Sequence, residues 1–466
     1  MKTTFALFPD LLACGSAAGR ALRSSALLSV VGSALLAATL SAQIAPNVAR
    51  TNIAGMDVLL YRTGVKEVVT LRASIPAGDA FNAGGNSAIA TLTGLMLDKG
   101  TTTQDKFAIS RKLESVGATI GFGVDTQMAE VSAKCLKQDV ALVVALIAEQ
   151  LRSPAFDEAE FAKVKKQYIG GLKRAAENPD NRADEAFALA IYPAGHPNRP
   201  APNAAQIAAV ESATLADVKA FHAKHYGPAH MTVVAVGDLD VGQMQTELGK
   251  AFVGWTGGVA ALRPPAASMG DVAKEQDVFM ADKTSVSILL GQSSGLKYSD
   301  PDYQALRVAT SILGSGFTSR LVGNVRDKEG LTYSIRSNLA NDNYTNGEFR
   351  IYASFAPNLL EQGITSAKRQ LTSWYQDGVT DKEVADKRTA LVGQFKVGLA
   401  TSDGLAANLM NTVNRGLDLA WLDQFSGKIA SLTTAEVNGA IKKHLNPDEM
   451  VLIKAGTIPG ALPAVK

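Results

Sequence analysis

The side chains best suited to chemistry lie in one stretch, Gly314-Ser315-Gly316-Phe317-Thr318-Ser319-Arg320-Leu321, which continues through Asn324-Val325-Arg326-Asp327-Lys328-Glu329-Gly330-Leu331-Thr332-Tyr333. Arg326 offers a planar, permanently charged fork of donors. Tyr333 offers a phenolic hydroxyl. Donors of these kinds, aimed at a peptide carbonyl, orient it and stabilise the oxyanion that forms as it is attacked. On residue types alone the plainer reading is that Arg326 pairs with a nearby carboxylate and Tyr333 fills a strand position. Gly314 and Gly316 make a flexible turn that lets backbone approach a substrate or partner, with Phe317 beside it. The turn is no phosphate cradle, because it lacks the Lys-Ser/Thr ending of a P-loop and follows a helix, not a strand.

Local signals place these residues on a turn, a short amphipathic helix and the start of a strand. Phe317, Leu321 and Val325 fall on one helical face. Ser319 is expected to cap the helix N-terminus. Gly330 is expected to end it in the left-handed conformation, with Arg326 and Tyr333 on either side of that stop. Arg320 reads as structural, positioning the Gly-rich turn.

The rest of the chain contributes few alternatives. Its 466 residues suffice for two or three domains, and 46% hydrophobic with 19% charged residues is ordinary for a soluble globular protein. A net charge of +2 gives no sign of a nucleic-acid partner. Of the 2 cysteines, Cys14 falls in an expected leader, leaving Cys135 without a disulfide framework. No His precedes His196. His222 and His225, three apart on a helix, read as structural, as do His196 in a Gly-Pro loop and His444 at a helix end.

Residues 1–42 read as a signal peptide. Arg20 and Arg23 precede an uncharged run from Ser24 to Leu40, and Ser41-Ala42-Gln43 offers cleavage after Ala42. A start downstream of Met1 is one alternative. The lipoprotein-like Leu11-Leu12-Ala13-Cys14, interrupted upstream by Pro9 and Asp10, is another. The expectation is a periplasmic or otherwise exported protein with no stable membrane span once the leader is removed.

Beyond residue 42 the pattern divides into 43–255 and 276–466, joined by a turn-rich linker at 256–275. Each part shows strands, helices, a strand hairpin, two long helices and a closing strand in the same order. In the first, strands are expected at Val68 to Ile75 and Met231 to Val236, and helices at Asn86 to Leu97, Asp157 to Ala176 and Leu215 to His225. In the second, helices are expected at Asp302 to Leu313, Ser319 to Glu329 and Asp381 to Leu399, with a hairpin from Thr332 to Phe355. Strand pairs mixed with helix pairs imply an α+β fold: two homologous layered halves facing each other as a clamshell.

This order resembles the M16 (pitrilysin-like, mitochondrial processing peptidase-like) zinc peptidases across nearly the whole mature chain. The landmarks are Asn178-Pro179-Asp180, Gly195-His196-Pro197, Phe221-His222 with Tyr226-Gly227-Pro228, Val234-Ala235-Val236-Gly237-Asp238, and the Arg326/Tyr333 stretch. In that family an Arg and a Tyr at this spacing grip the substrate, which gives Arg326 and Tyr333 catalytic standing as carbonyl and oxyanion contacts. Active members also carry H-x-x-E-H, two zinc ligands and a general base, on the first long helix. Counting back from Gly100-Thr101 puts Thr91, Gly94 and Leu95 at those positions. The third ligand position, about two helical turns before Asn178-Pro179, holds Gly170-Gly171.

The resemblance therefore implies a non-catalytic M16 subunit with no metal or cofactor of its own. Zinc is expected in a partner M16 subunit, joined in a heterodimer, with Arg326 and Tyr333 acting in trans on a peptide substrate. The alternatives are a stand-alone peptide-binding or scaffold protein, and a peptidase with an unusual metal site.

Overall fold

The computed structural model describes residues 43–82, 84–262 and 274–460. The expected signal peptide and most of the expected linker lie outside the described residues. Gln43–Lys466 forms one unit built on two sheets of one plan. The first contains β1 (Ala49–Ile53), β2 (Met56–Arg62), β3 (Val68–Ile75), β4 (Thr119–Val124), β5 (Ala129–Leu136) and β6 (Thr232–Gly237), in the order β1-β2-β6-β3-β5-β4. The second contains β7 (Lys274–Phe279), β8 (Val286–Ser293), β9 (Thr332–Ala340), β10 (Glu348–Phe355) and β11 (Val451–Gly456), in the order β7-β11-β8-β10-β9. In each sheet one pair is parallel, β2 with β6 and β7 with β11. The other pairs are antiparallel. The duplicated α+β architecture expected from the sequence is thus present, with β1 added at one edge of the first sheet. β7 begins at Lys274, inside the stretch read as linker.

The central strands β6, β8 and β11 are buried at every residue, which requires cover on both sheet faces. On β6 the alternation sorts the side chains. Val233 and Ala235 enter the core of the first half. Val234 and Val236 pack instead with Leu405, Leu409 and Met410 of the helix Ser402–Asn414. The second sheet mirrors this: Leu289, Val451 and Ile453 pack with Ala183, Phe187 and Ile191 of the helix Pro179–Ile191. Each half therefore lends one helix to the far face of the other half's sheet. Neither helix is among those the sequence led us to expect.

Polar contacts pin both exchanges. Ser74 Oγ lies 2.9 Å from Asn414 Oδ1, and Arg72 pairs with Asp403 at 3.0 Å. On the other side, Tyr352 donates to Asp180 Oδ1 at 2.9 Å, Ser287 donates to the same oxygen, and Arg350 pairs with Asp184 at 2.9 Å. Cys135 is a buried free thiol whose pKa burial pushes up to about 11, so it behaves as an inert core residue. Among the described residues no helix is long and apolar enough to cross a membrane.

Candidate functional site

The helix Tyr303–Gly314 is buried at every residue except Arg307 and ends against β9. A Cβ on Gly314 would stand 2.2 Å from the backbone nitrogen of Ser337, so only glycine permits that approach. Gly314, expected in a substrate-binding turn, is thus a packing residue, buried beneath the turn. We expect Gly314→Ala to destabilise the chain by about 1–3 kcal/mol through overpacking. Thermal unfolding checks this, and an unchanged midpoint would contradict the contact. Gly316 and Phe317 lie in the exposed turn itself, and Phe317 is 76% exposed. Phe317 therefore does not join Leu321 and Val325, both at 0% exposure, on the buried face. The helix begins only after the turn, which breaks the periodicity assumed for it.

Ser319 does not use its side chain as an N-cap. Its hydroxyl donates to the Gly316 carbonyl at 2.7 Å and tightens the turn. Lys387 Nζ holds the Ser315 carbonyl at 2.8 Å. Arg320 forks onto both carboxylate oxygens of Glu383 at 2.7 Å and reaches the Gly378 carbonyl at 2.8 Å. Arg320 is therefore structural, but it anchors the start of the Asp381–Leu399 helix, whose capping box uses the same Glu383.

Beyond Arg320 the backbone winds as a π-helix over Val322–Lys328, with Glu329 N–H bonding Asn324 at 3.0 Å. Such wide turns recur at functional sites because they re-aim a side chain without breaking the helix. Gly330 closes the segment at φ +64°, and the Leu331 N–H returns to the Val325 carbonyl at 3.0 Å. The left-handed stop read from the sequence is present. Across it the Arg326 guanidinium carbon lies 4.6 Å from the Tyr333 ring centre and 5.4 Å from that of Phe317. Tyr333 is 83% exposed, so it fills no core position. Arg326's ion pair is with its neighbour Asp327, at a loose 3.6 Å. Two aromatic rings and a guanidinium thus form one exposed cluster at the start of the edge strand β9, the plane of the charge steadied by the rings.

In the first half, the positions expected to carry the zinc motif hold no such set of donors. Thr91 donates to Asp79 Oδ1 at 3.1 Å, Leu95 is 39% exposed, and a Cβ on Gly94 would meet Val124 Cγ2 of β4 at 2.4 Å. Built Cβ atoms on Gly170 and Gly171 would face only the Arg174 guanidinium. Thr91 offers one hydroxyl and the other four positions offer no donor, whereas a catalytic zinc needs three good ligands. Among the described residues no group of three or more His, Cys, Asp or Glu could hold a metal ion. The zinc of the family does not fit here, and we derive no step through it. The Val124 contact makes a prediction: Gly94→Glu lowers stability by about 1–3 kcal/mol, and adding Val124→Ala restores part of it. Equal unfolding midpoints for the single and double variants would contradict this packing.

Four of the five histidines are structural. His222 Nε2 lies 2.8 Å from the Leu151 carbonyl and its ring stacks on Tyr226, while His225 is buried against Phe221 and Phe81. Burial lowers the pKa of both. His196 stacks on Tyr192, and His444 pairs with Asp302 at 2.9 Å. Sequence reasoning missed one feature: a cleft of ≈ 660 Å³ lined by Asp79, Gln127, Tyr168 and the Gly195–Ala201 loop. Its only sequence signal was a carboxylate placed directly after Gly78 at the end of a strand.

Comparison with known proteins follows the same division. Residues 57–200 match the family described as Insulinase (Peptidase family M16), and residues 212–391 match the Peptidase M16 inactive domain. Together they span more than half of the chain. This chain belongs to the M16 peptidase family. An uncharacterized zinc protease of Streptomyces coelicolor is 25% identical over 369 residues, 75% of this chain and 76% of its own length. The non-peptidase homolog YmxG of Helicobacter pylori is 24% identical over 386 residues, 80% of this chain and 86% of its own. The crystal structure of a peptidase M16 inactive domain from Pseudomonas fluorescens superposes with a TM-score of 0.80 at 27% identity, covering 90% of this chain and 99% of that one. Within M16 this chain is an insulinase-like peptidase homologue of the non-catalytic kind.

Proposed function

We propose that this chain is the non-catalytic, substrate-binding subunit of an exported heteromeric M16 metallopeptidase. The observation that carries the reading is the asymmetry between the halves. Arg326 and Tyr333 are held ready on the surface, while Thr91, Gly94, Leu95, Gly170 and Gly171 supply no zinc site. A partner M16 chain carrying H-x-x-E-H supplies the metal and the general base. Arg326 and Tyr333 act on the carbonyl of the bound peptide. β9 is the edge strand of its sheet, so an extended peptide can lie along it through backbone hydrogen bonds, a mode with low sequence specificity. The charge-depleted run after Arg20 and Arg23 supports export.

The test is reconstitution. The chain alone, with zinc added, should hydrolyse no quenched peptide. Mixed with a zinc-bearing M16 chain from the same organism, it should form a complex of defined stoichiometry by light scattering and raise peptide hydrolysis. A mixture that neither associates nor gains activity would favour a stand-alone binding protein instead.

A further inference from the structure

The ≈ 660 Å³ cleft of the first half contains polar groups that the shared-site reading leaves unused. Its volume is in the range of pockets that enclose small ligands, roughly 300–1,000 Å³. Asp79 and Gln127 are locked side by side in its wall. Gly78 N–H bonds the Gln127 carbonyl at 2.9 Å, Asp79 N–H bonds the Asp125 carbonyl at 3.1 Å, and Ala80 N–H bonds that of Thr126 at 2.8 Å.

Gln127 is 0% exposed, and neither end of its side-chain amide has a hydrogen-bond partner. A buried amide with both ends free is costly, and a ligand with its own donor and acceptor offsets that cost. The Asp79 carboxylate accepts from the Thr91 hydroxyl and backbone, and among the described residues no cation pairs with it; burial foremost, with a further push from the nearby Asp125, raises its pKa to about 6. Asp125 is itself occupied by the Gln127 and Met128 N–H groups and the Tyr344 hydroxyl. The guanidinium in the lining, Arg199, is spent on the Leu189 and Tyr192 carbonyls. The cleft wall therefore carries one carboxylate without a paired cation and one amide without a hydrogen-bond partner.

We propose that this cleft binds the amino-terminal end of a peptide, its α-ammonium on Asp79 and its first peptide group on the Gln127 amide. An ammonium followed by a peptide N–H and C=O has the charge and the paired donor and acceptor that the wall lacks. The proposal uses this chain's residues alone. An inactive mixture with a zinc-bearing partner leaves it standing, and an empty cleft leaves the shared-site reading standing.

The experiment is calorimetric titration of the full chain with tri-alanine amide and with its N-acetylated form. The free amine should bind saturably, and acetylation should weaken binding at least about tenfold, the effect expected of losing one charge-assisted hydrogen bond. Asp79→Asn keeps an acceptor for Thr91 and should weaken the free amine to the level of the acetylated form. Gln127→Met removes a buried unpaired amide, so it should leave the unfolding midpoint equal or higher while weakening binding of both peptides. Absent binding, equal affinity for the two peptides, or unchanged affinity in both variants would overturn the proposal. So would a simple alkylamine that binds as tightly as tri-alanine amide.

Discussion

Replacing Glu348 by glutamine should stabilise the chain at pH 8 and flatten the pH dependence of its unfolding. Glu348 opens β10 and is 1% exposed where the first half meets the second sheet. The Tyr192 hydroxyl reaches its Oε2, and Asn341 donates to its Oε1 at 2.9 Å. Arg350 is 3.8 Å away but is engaged with Asp184 at 2.9 Å. Burial pushes the Glu348 carboxyl up to about 8, with Arg350 opposing and Asp184 adding to the rise. The sign follows directly. Between about pH 4.3, the ordinary Glu value, and the raised folded value, the folded chain keeps a proton that the unfolded chain releases. Stability contributed by this group is full below that window, falls as pH rises through it, and levels off above pH 8. The full excursion is roughly 3–5 kcal/mol. Glutamine keeps a donor and an acceptor and cannot ionise. Urea unfolding of both proteins at pH 5, 7 and 8.5 checks this, with the gap widening in favour of the variant. Asp79, also raised, shifts in both backgrounds and cancels in the difference. Parallel curves would show that Glu348 stays charged in the folded chain.

Arg326→Ala and Tyr333→Phe should each lower the peptide turnover of the reconstituted mixture by about 10²–10³-fold, the usual consequence of removing one preorganised oxyanion donor. Both should leave the fold intact. Tyr333 is exposed and Arg326 makes one loose ion pair, and surface substitutions of this kind usually stay within about 0.5 kcal/mol. Tyr333→Phe is the sharper test, because the ring stays stacked on the guanidinium and only the hydroxyl is lost. Arg320→Ala, six residues away in the same motif, should behave oppositely. It breaks a half-buried fork onto Glu383, whose carboxyl is held down at about 2 with the Arg320 hydrogen bonds as the main lowering influence against burial. Unfolding should cost about 1–3 kcal/mol less. If the Arg320 and Arg326 variants lost stability equally, the division of labour within the motif would be wrong.

Much of this was legible where the signal was local. Val68–Ile75, Leu215–His225 and Asp381–Leu399 lie where they were expected, the two helices opened by the Thr214 and Thr380 side-chain caps. Gly330 stops its helix as its type predicts. Arg326 and Tyr333 were singled out through the family resemblance, residue types alone favouring a plainer role, and the internal repeat was readable from the order of elements. The exchanged helices Pro179–Ile191 and Ser402–Asn414 were not legible, because the face each presents is defined by the sheet of the other half of the chain. The trace they leave lies in the sheets: β6, β8 and β11 have no solvent-facing residue to alternate. β7 was missed, its first two residues falling in the expected linker, because Lys274, Glu275, Gln276 and Asp277 look like a loop, although charges suit a sheet edge. The π-helix leaves no mark in residue type, since it depends on which carbonyl each N–H selects. The Asp79–Gln127 pairing was hidden for a similar reason: backbone bonds between distant loops create it.

The central claim is that this chain grips a peptide for a zinc site carried by another chain. The most direct measurement is the rate of quenched-peptide hydrolysis by four samples: this chain alone, a zinc-bearing M16 chain alone, the two mixed, and the mixture made with the Arg326→Ala/Tyr333→Phe double variant, each with and without chelator. The account predicts fast hydrolysis only in the wild-type mixture, abolished by chelator and reduced at least about 10²-fold by the double variant although the complex still forms. Chelator-sensitive hydrolysis by this chain alone, or a double-variant mixture as active as wild type, would contradict it.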